Sequence, residues 1–500
     1  MFFSSWLRNR KPTTRRGNCF RPRLEALEDR AVPATLTVSP MIPDGTPHSL
    51  RAVLGSLNPT EANTIILTPG TLHLTQGVIQ IAGMSDLTIQ PLLPGSVTID
   101  GGGLSGDLEI QGGSVTLSDL TITGGNGYLG GGISAGFGST VIIGSSRLSG
   151  NSADLAGGGI SNFGTMTITS STISGNFDDE PSGGIIQGGG GIFNIGTLTI
   201  DNTSVSGNSA SNAGGGISNS GTMTITSSTI SGNFAGSSTG GGGILNLGTL
   251  TIDNSSVSGN NAPNGGNGGG ISSEGVSVTV RDSTVSGNSA VTGGAIYNRF
   301  GTVNIGRSTL SNNSVTNAGG AIFNDFHGML TISHSTLSDN SAYYAGGIFN
   351  HIFAMLTVTD STISGNSATG SVDGDGGGVY NVGTATIVNS TLSGNSADYG
   401  DGGGILNFFG SLPLTNSILS GNSALYGGGI LNDSGSMALT GSILSGNSAT
   451  DFGGGIANFG TLTVRDSTVV GNGAGGFGGD VYNAGVLSVF DSVIGDLYNV

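Results

Sequence analysis

Tyr297, Phe323, Phe349 and Tyr380 each stand between an isoleucine or valine and an asparagine, at intervals of 26, 26 and 31 residues. Rings repeated in one slot can stack on sugars, anchor a protein partner, or simply stack on one another. Carboxylates recur in a second slot. "SVDGDGGGVYN" and "SADYGDGGGIL" place Asp375 and Asp401 at the same offset, with Asp373 and Asp398 close by. Neighbouring carboxylates repel, so either calcium bridges them or the turn is a solvated acidic one. No other metal and no cofactor is expected. Asp325, His327 and His351 fall in equivalent turns that would bring His351 over Asp325, yet no nucleophile or third metal ligand accompanies them. "GGFGGDVYN" at 475–483 matches a calcium-binding nonapeptide but stands alone, whereas that motif works through tandem copies that share ions. No catalytic residue is assigned, and the aromatic slot is the candidate ligand-binding site.

The elements that must hold these residues are repeats. Ser-Gly-Asn or a near variant recurs with its asparagine at 151, 176, 208, 233 and onward to 472, most often 25 residues apart. A second marker, GG[GA][IV]xN, keeps step with it, as in "GGGISN", "GGAIYN" and "GGAIFN". Between them run alternating segments such as "GTLTIDN" and "GTMTITS". Three short strands per 25 residues, each ended by Gly, Asn or Ser, describe one rung of a parallel β-helix. A β-propeller blade needs four strands in about 40–50 residues, so the period is too short for one. With Ile192, Leu198, Ile200 and Val205 turned inward, stacking at roughly 4.8 Å would build a continuous core. Asn194, Asn208 and their counterparts would form asparagine ladders. The slot of Tyr297, Phe323, Phe349 and Tyr380 faces outward if Ile296, Ile322, Ile348 and Val379 face inward.

These rungs resemble the right-handed single-stranded β-helices of the pectate-lyase-like class. "GGAIYN" and "GGAIFN" resemble the repeats of bacterial polymorphic outer-membrane adhesins. The resemblance covers residues 130–500 and implies an all-β solenoid, with either an adhesive or a polysaccharide-acting role. Residues 36–129 read as a cap and first rungs. Ser49 would N-cap a short helix over 49–58 whose Leu50, Val53, Leu54 and Leu57 share a face. Ser49, Leu50, Arg51 and Ala52 resemble in part the SLREA segment that precedes β-helices in bacterial surface proteins. Residues 1–35 form a basic leader, expected to be disordered. Its "RPRLEALEDRAVPATL" resembles the LEALEDRxxPA motif of large repetitive planctomycete-type surface proteins, which implies an export or sorting tag.

Composition narrows the functions. Only 9% of the residues are charged, 96 are glycine, and the formal net charge is −17. After Arg51 the only basic residues are Arg147, Arg281, Arg299, Arg307 and Arg465, which argues against a nucleic-acid partner. No segment approaches the 18 apolar residues of a membrane span. A secreted or cell-surface, non-catalytic β-helix, acting as adhesin or stalk toward a surface glycan or protein, fits best. A polysaccharide lyase or hydrolase is the first alternative, although such enzymes need clustered carboxylates or a basic residue beside calcium ligands. An ice-binding face is the second. Its basis is the Thr-x-Thr rows at 165–169, 197–199, 222–226 and 249–251, which resemble those of insect-type ice-binding β-helices.

Overall fold

The computed structural model describes residues 34–179, 188–236, 240–371 and 374–500. The basic leader, most of the 21–36 motif and Asp373 lie outside the described residues.

One rung illustrates the local logic. In Ile192–Asn194, Thr197–Asp201, Ser204–Ser206 and Ser209–Ala210, inward apolar residues alternate with polar ones. Ile192, Leu198, Ile200 and Val205 are buried. The next rung sets Ile217, Met223, Ile225 and Ile230 beside them, in parallel and in phase. Asn202 turns the corner after the second strand at φ +46°, and Ser227 and Asn254 repeat it at +47° and +46°. Small polar residues tolerate this left-handed conformation, which explains the Asn, Asp and Ser that end each TxTxx segment. Propagated along the chain, the inward residues merge into one apolar core from Val38 to Val481. No rung could keep its apolar side dry alone, so each depends on its neighbours.

The result is a right-handed parallel β-helix of about 17 turns with three sheets and almost no helix. Among the described residues the first sheet has 33 strands, the second 17 and the third 14. The first is doubled because each regular rung contributes two strands to it, the IxN strand and the TxTxx strand. In Ile79–Pro91 and Leu108–Ser118 those two columns are still one strand, with a register shift between Met84 and Leu87 where they later part. A regular rung therefore has four strand pieces rather than three. The extra piece is the IxN marker itself, set off from the next strand by a Gly-containing bend.

Helix α1 (Leu50–Leu54) is shorter than the expected 49–58 and ends at Gly55. Ser49 is its N-cap, accepting from the Ala52 N–H at 3.3 Å. Leu50 and Leu54 are buried in the core, with Val53 and Leu57 packed against it. Arg51 holds the segment in place by donating to Asp44 through Nε and Nη2 at 2.9 and 3.0 Å.

Two asparagine ladders run the length of the regular rungs. In the Ser-Gly-Asn ladder, each asparagine donates through its backbone N–H and its Nδ2 to the Oδ1 of the next. Asn366, for example, reaches Asn395 Oδ1 at 3.0 and 2.9 Å. Asn472 has no asparagine beyond it and donates to Asp480 Oδ1 at 2.8 and 2.9 Å. The aspartate of the nonapeptide-like "GGFGGDVYN" is thus turned inward as the ladder's last acceptor. A third column was not singled out in the sequence. Ser146, Ser171, Thr203 and Ser228 each offer a hydroxyl oxygen to the N–H of the rung before.

The IxN ladder has one gap. Asn246 pairs in register with Ser273, and Ser273 with Asn298. Asn246 Nδ2 donates to Gly248 O, while Ser273 Oγ and Asn298 Oδ1 are buried without a hydrogen-bond partner. Ser273→Asn restores the amide that the flanking rungs carry in this slot. It is expected to raise unfolding free energy by about 1–2 kcal/mol, read as a higher denaturant midpoint. An unchanged midpoint would mean that the gap costs nothing.

Candidate functional site

The register brings the four candidate rings together. Tyr297 aligns with Phe323, Phe323 with Phe349, and Phe349 with Tyr380. Phe323 and Phe349 lie 4.9 Å apart at 5°, a parallel stack, and Tyr297 joins Phe323 at 5.7 Å and 24°. Tyr380 is tilted by 53° against Phe349 at 4.9 Å.

The expected exposure of this slot needs correction. Tyr297 is buried, with 5% of its surface exposed, and Phe323, Phe349 and Tyr380 are half-buried. The slot does point away from the core, but the Gly-Gly turn of the same rung folds back over it. At Gly376, φ +72°, an added Cβ would lie 2.7 Å from the Tyr380 Cβ. At Gly293 it would lie 2.9 Å from the Tyr297 Cα. The glycines are there because a side chain would strike the residue beneath.

Asp325 lies at one end of the stack. Tyr297 Oη donates to Asp325 Oδ2 at 2.6 Å, and Arg299 Nε is 3.8 Å from the same oxygen. His351 Nδ1 lies 3.2 Å from Asp325 Oδ1, as the equivalent turns implied, but out of line for a hydrogen bond. The His351 ring meets the edge of Phe326 at 4.9 Å. His327 is drawn away, stacking between Phe300 and Phe353 at 6.3 and 5.4 Å. Burial, reinforced by Asp325, holds the Tyr297 phenol well above its ordinary pKa. Burial, with the Asp375 charge next, does the same for Tyr380. Both phenols are therefore donors rather than bases near neutral pH.

The slot continues beyond Tyr380 as Leu406, Leu431, Ala457, Tyr482 and Tyr498. Two further columns flank it. Before each Gly-Gly turn stand Tyr344, Asp375, Asp401, Tyr426, Phe452 and Phe477, linked rung to rung by backbone hydrogen bonds. After the IxN strands of consecutive rungs stand Asp325, His351, Val382, Phe408, Asp433 and Phe459. Over the later rungs the three columns enclose a cavity of about 400 Å³ that includes Asp401, Tyr426, Asp433, Phe452, Phe459 and Tyr482. Phe452 stacks on Tyr482 at 4.8 Å, and Leu431 completes the lining. Of these flanking columns the sequence had shown Asp375 beside Asp401 and His351 over Asp325; their aromatic members Tyr426, Phe452, Phe408 and Phe459 were missed, although the fixed offset before each Gly-Gly pair was the available signal.

Asp375 and Asp401 are neighbours, as their offsets implied, and the Asp401 N–H donates to Asp375 Oδ1 at 3.0 Å. Asp398 takes a 3.4 Å contact from Ser423 Oγ instead. Among the described residues no three His, Cys, Asp or Glu side chains converge as a metal site. The threonine rows align as two columns, Thr165, Thr197, Thr222 and Thr249 beside Thr167, Thr199, Thr224 and Thr251.

Fold and site together define a parallel β-helix with an aromatic stripe that opens, over the later rungs, into an acid-edged cleft. No family model and no curated protein matches the chain. Among solved structures it is similar to pectate lyase Pel9A, with 16% identity over 57% of this chain and 78% of that one, TM-score 0.37. It is also similar to a mannuronic acid specific polysaccharide family 6 lyase from human gut microbiota, with 13% identity over 81% and 87%, TM-score 0.37. PfbA, a surface adhesin of Streptococcus pneumoniae, aligns at 11% identity over 90% and 86%, TM-score 0.27. The likeness to all three is one of fold. Among the described residues no helix is long and apolar enough to cross a membrane.

Proposed function

We propose that the chain is a non-catalytic, secreted or cell-surface solenoid that binds a glycan, or a partner protein, along this cleft. The observation that supports the reading is the register: Tyr297, Phe323, Phe349 and Tyr380 occupy one slot on consecutive rungs, and the half-buried Phe323, Phe349 and Tyr380 keep part of their rings at the surface at the spacing of the rungs. Each ring contributes roughly 0.5–1.5 kcal/mol, so one molecule binds modestly and many copies on a surface bind by avidity.

A glycan array probed with the purified chain tests this. Phe323→Ser combined with Phe349→Ser is expected to keep the fold, because Ser161 and Ser218 fill the same slot in other rungs and are buried there. Ser161 shows how: its hydroxyl donates to Ala156 O at 2.8 Å. Binding should weaken by about five- to ten-fold. A folded double variant that binds like the parent makes the stripe a packing ladder only. The alternative of a polysaccharide-acting enzyme draws on the grouping of Tyr297, Arg299 and His351 around Asp325. Release of reducing or unsaturated ends by the same preparation would favour it.

A further inference from the structure

The later part of the cleft has a charge that selects its ligand. Between Arg307 and Arg465 the chain contains no lysine or arginine and nine aspartates. Two of these, Asp401 and Asp433, line the 400 Å³ cavity together with Tyr426, Phe452, Phe459 and Tyr482, and no basic residue lines it. Asp375 and Asp451 stand close behind, near enough to raise the pKa of the phenols of Tyr380 and Tyr426, whose first cause is burial. Aromatic faces beside carboxylates attract an organic cation twice, through the ring quadrupole and through charge. The same carboxylates repel a polyanion.

We propose that this cavity binds a protonated amino sugar, with the sugar's C–H face on the exposed Phe459 ring, the edges of the stacked Phe452 and Tyr482 as its wall, and its ammonium group taken by Asp401 and Asp433. The proposal rests on the reading of the cleft as a glycan-binding groove and adds the class of sugar. It also separates this cleft from one made for polyuronates, whose carboxylates would meet aspartates with no basic residue between them.

Titration calorimetry of the full chain with three tetrasaccharides tests it: β-1,4-glucosamine, its fully N-acetylated form, and a uronate. The glucosamine tetramer should bind about ten-fold more tightly than the acetylated one and lose affinity with added salt. Asp433→Asn, nearly isosteric, should narrow that preference to about two-fold, with an unchanged melting temperature as the check of folding. Asp401→Asn serves the same purpose independently. Equal binding of the free and acetylated tetramers, or a preference kept in both variants, overturns the amino-sugar assignment while leaving a glycan groove. Tighter binding of the uronate overturns it too. Binding of none of the three, with no glycan retained on an array, overturns the groove as well.

Discussion

Replacing Asn366 with leucine lowers the unfolding free energy by about 3–5 kcal/mol, an effect on the scale of breaking a buried polar network. The side chain is fully buried and holds both neighbours. It accepts from the Asn340 N–H and Nδ2 at 3.1 and 2.8 Å, and donates from Nδ2 to Leu337 O at 3.0 Å and to Asn395 Oδ1 at 2.9 Å. Leucine fills about the same space and meets none of these bonds. Urea denaturation of parent and variant measures the difference, and equal midpoints would contradict the ladder's energetic role.

The second large effect comes from a residue the sequence did not single out. Asp107 is fully buried and neither carboxyl oxygen has a hydrogen-bond partner. It precedes Leu108, the register partner of Ile133, and so holds the place that Gly132 holds one rung on. Its oxygens fill the space left by two glycines: an added Cβ at Gly101 would fall 2.4 Å from Oδ1, and one at Gly125 would fall 2.7 Å from Oδ2. Desolvation, with the Asp100 charge adding to it, pushes the carboxyl up to about 9. In the unfolded chain it titrates near the ordinary carboxylate value of about 3.9. The folded state therefore binds the extra proton between those values. The stability this group contributes is fully present below about pH 4 and declines as pH rises toward 9. Asp107→Asn needs no proton there, and the carbonyls of Gly124 and Gly131 border the same space as partners for an amide. The variant is expected to exceed the parent by on the order of 3 kcal/mol at pH 7, with the gap closing toward pH 4. Thermal melts across that range measure it, and a gap independent of pH would contradict the buried, protonated carboxyl.

The solenoid was legible because its determinants repeat. Ile200 and Asn208 recur rung after rung, so an inward residue shows itself by its period alone. The aromatic slot was legible in position and not in burial. Alternation along Ile296-Tyr297-Asn298 says which way Tyr297 points, but not that the turn at Gly293 covers it, because that contact depends on a backbone path no side-chain pattern encodes. The same holds for the cavity. Its lining comes from three columns, as Tyr426, Asp433 and Tyr482 show, and no one of them signals a cavity until the rungs are stacked. Asp107 was hidden for another reason: its consequence comes from two glycines on other rungs.

The Ser-Gly-Asn ladder also has a sense. From Asn151 to Asn447 each Nδ2 donates one hydrogen to the next asparagine Oδ1 in the C-terminal direction and the other back to a carbonyl of the preceding rung, whereas each Oδ1 accepts only from the rung before. The column therefore begins on an acceptor at Asn151 and ends on donors at Asn472. Near each end an aspartate precedes the first residue of an IxN-type strand, and the two find opposite partners. Asp480 sits at the donor end, where its carboxylate accepts from Asn472 and from the Asp496 N–H at 2.8 Å. Asp107 sits at the other end with no donor in reach, and burial, with the Asp100 charge, keeps its proton on. The ladder thus has a direction, and its two ends are not interchangeable even where their sequences look alike.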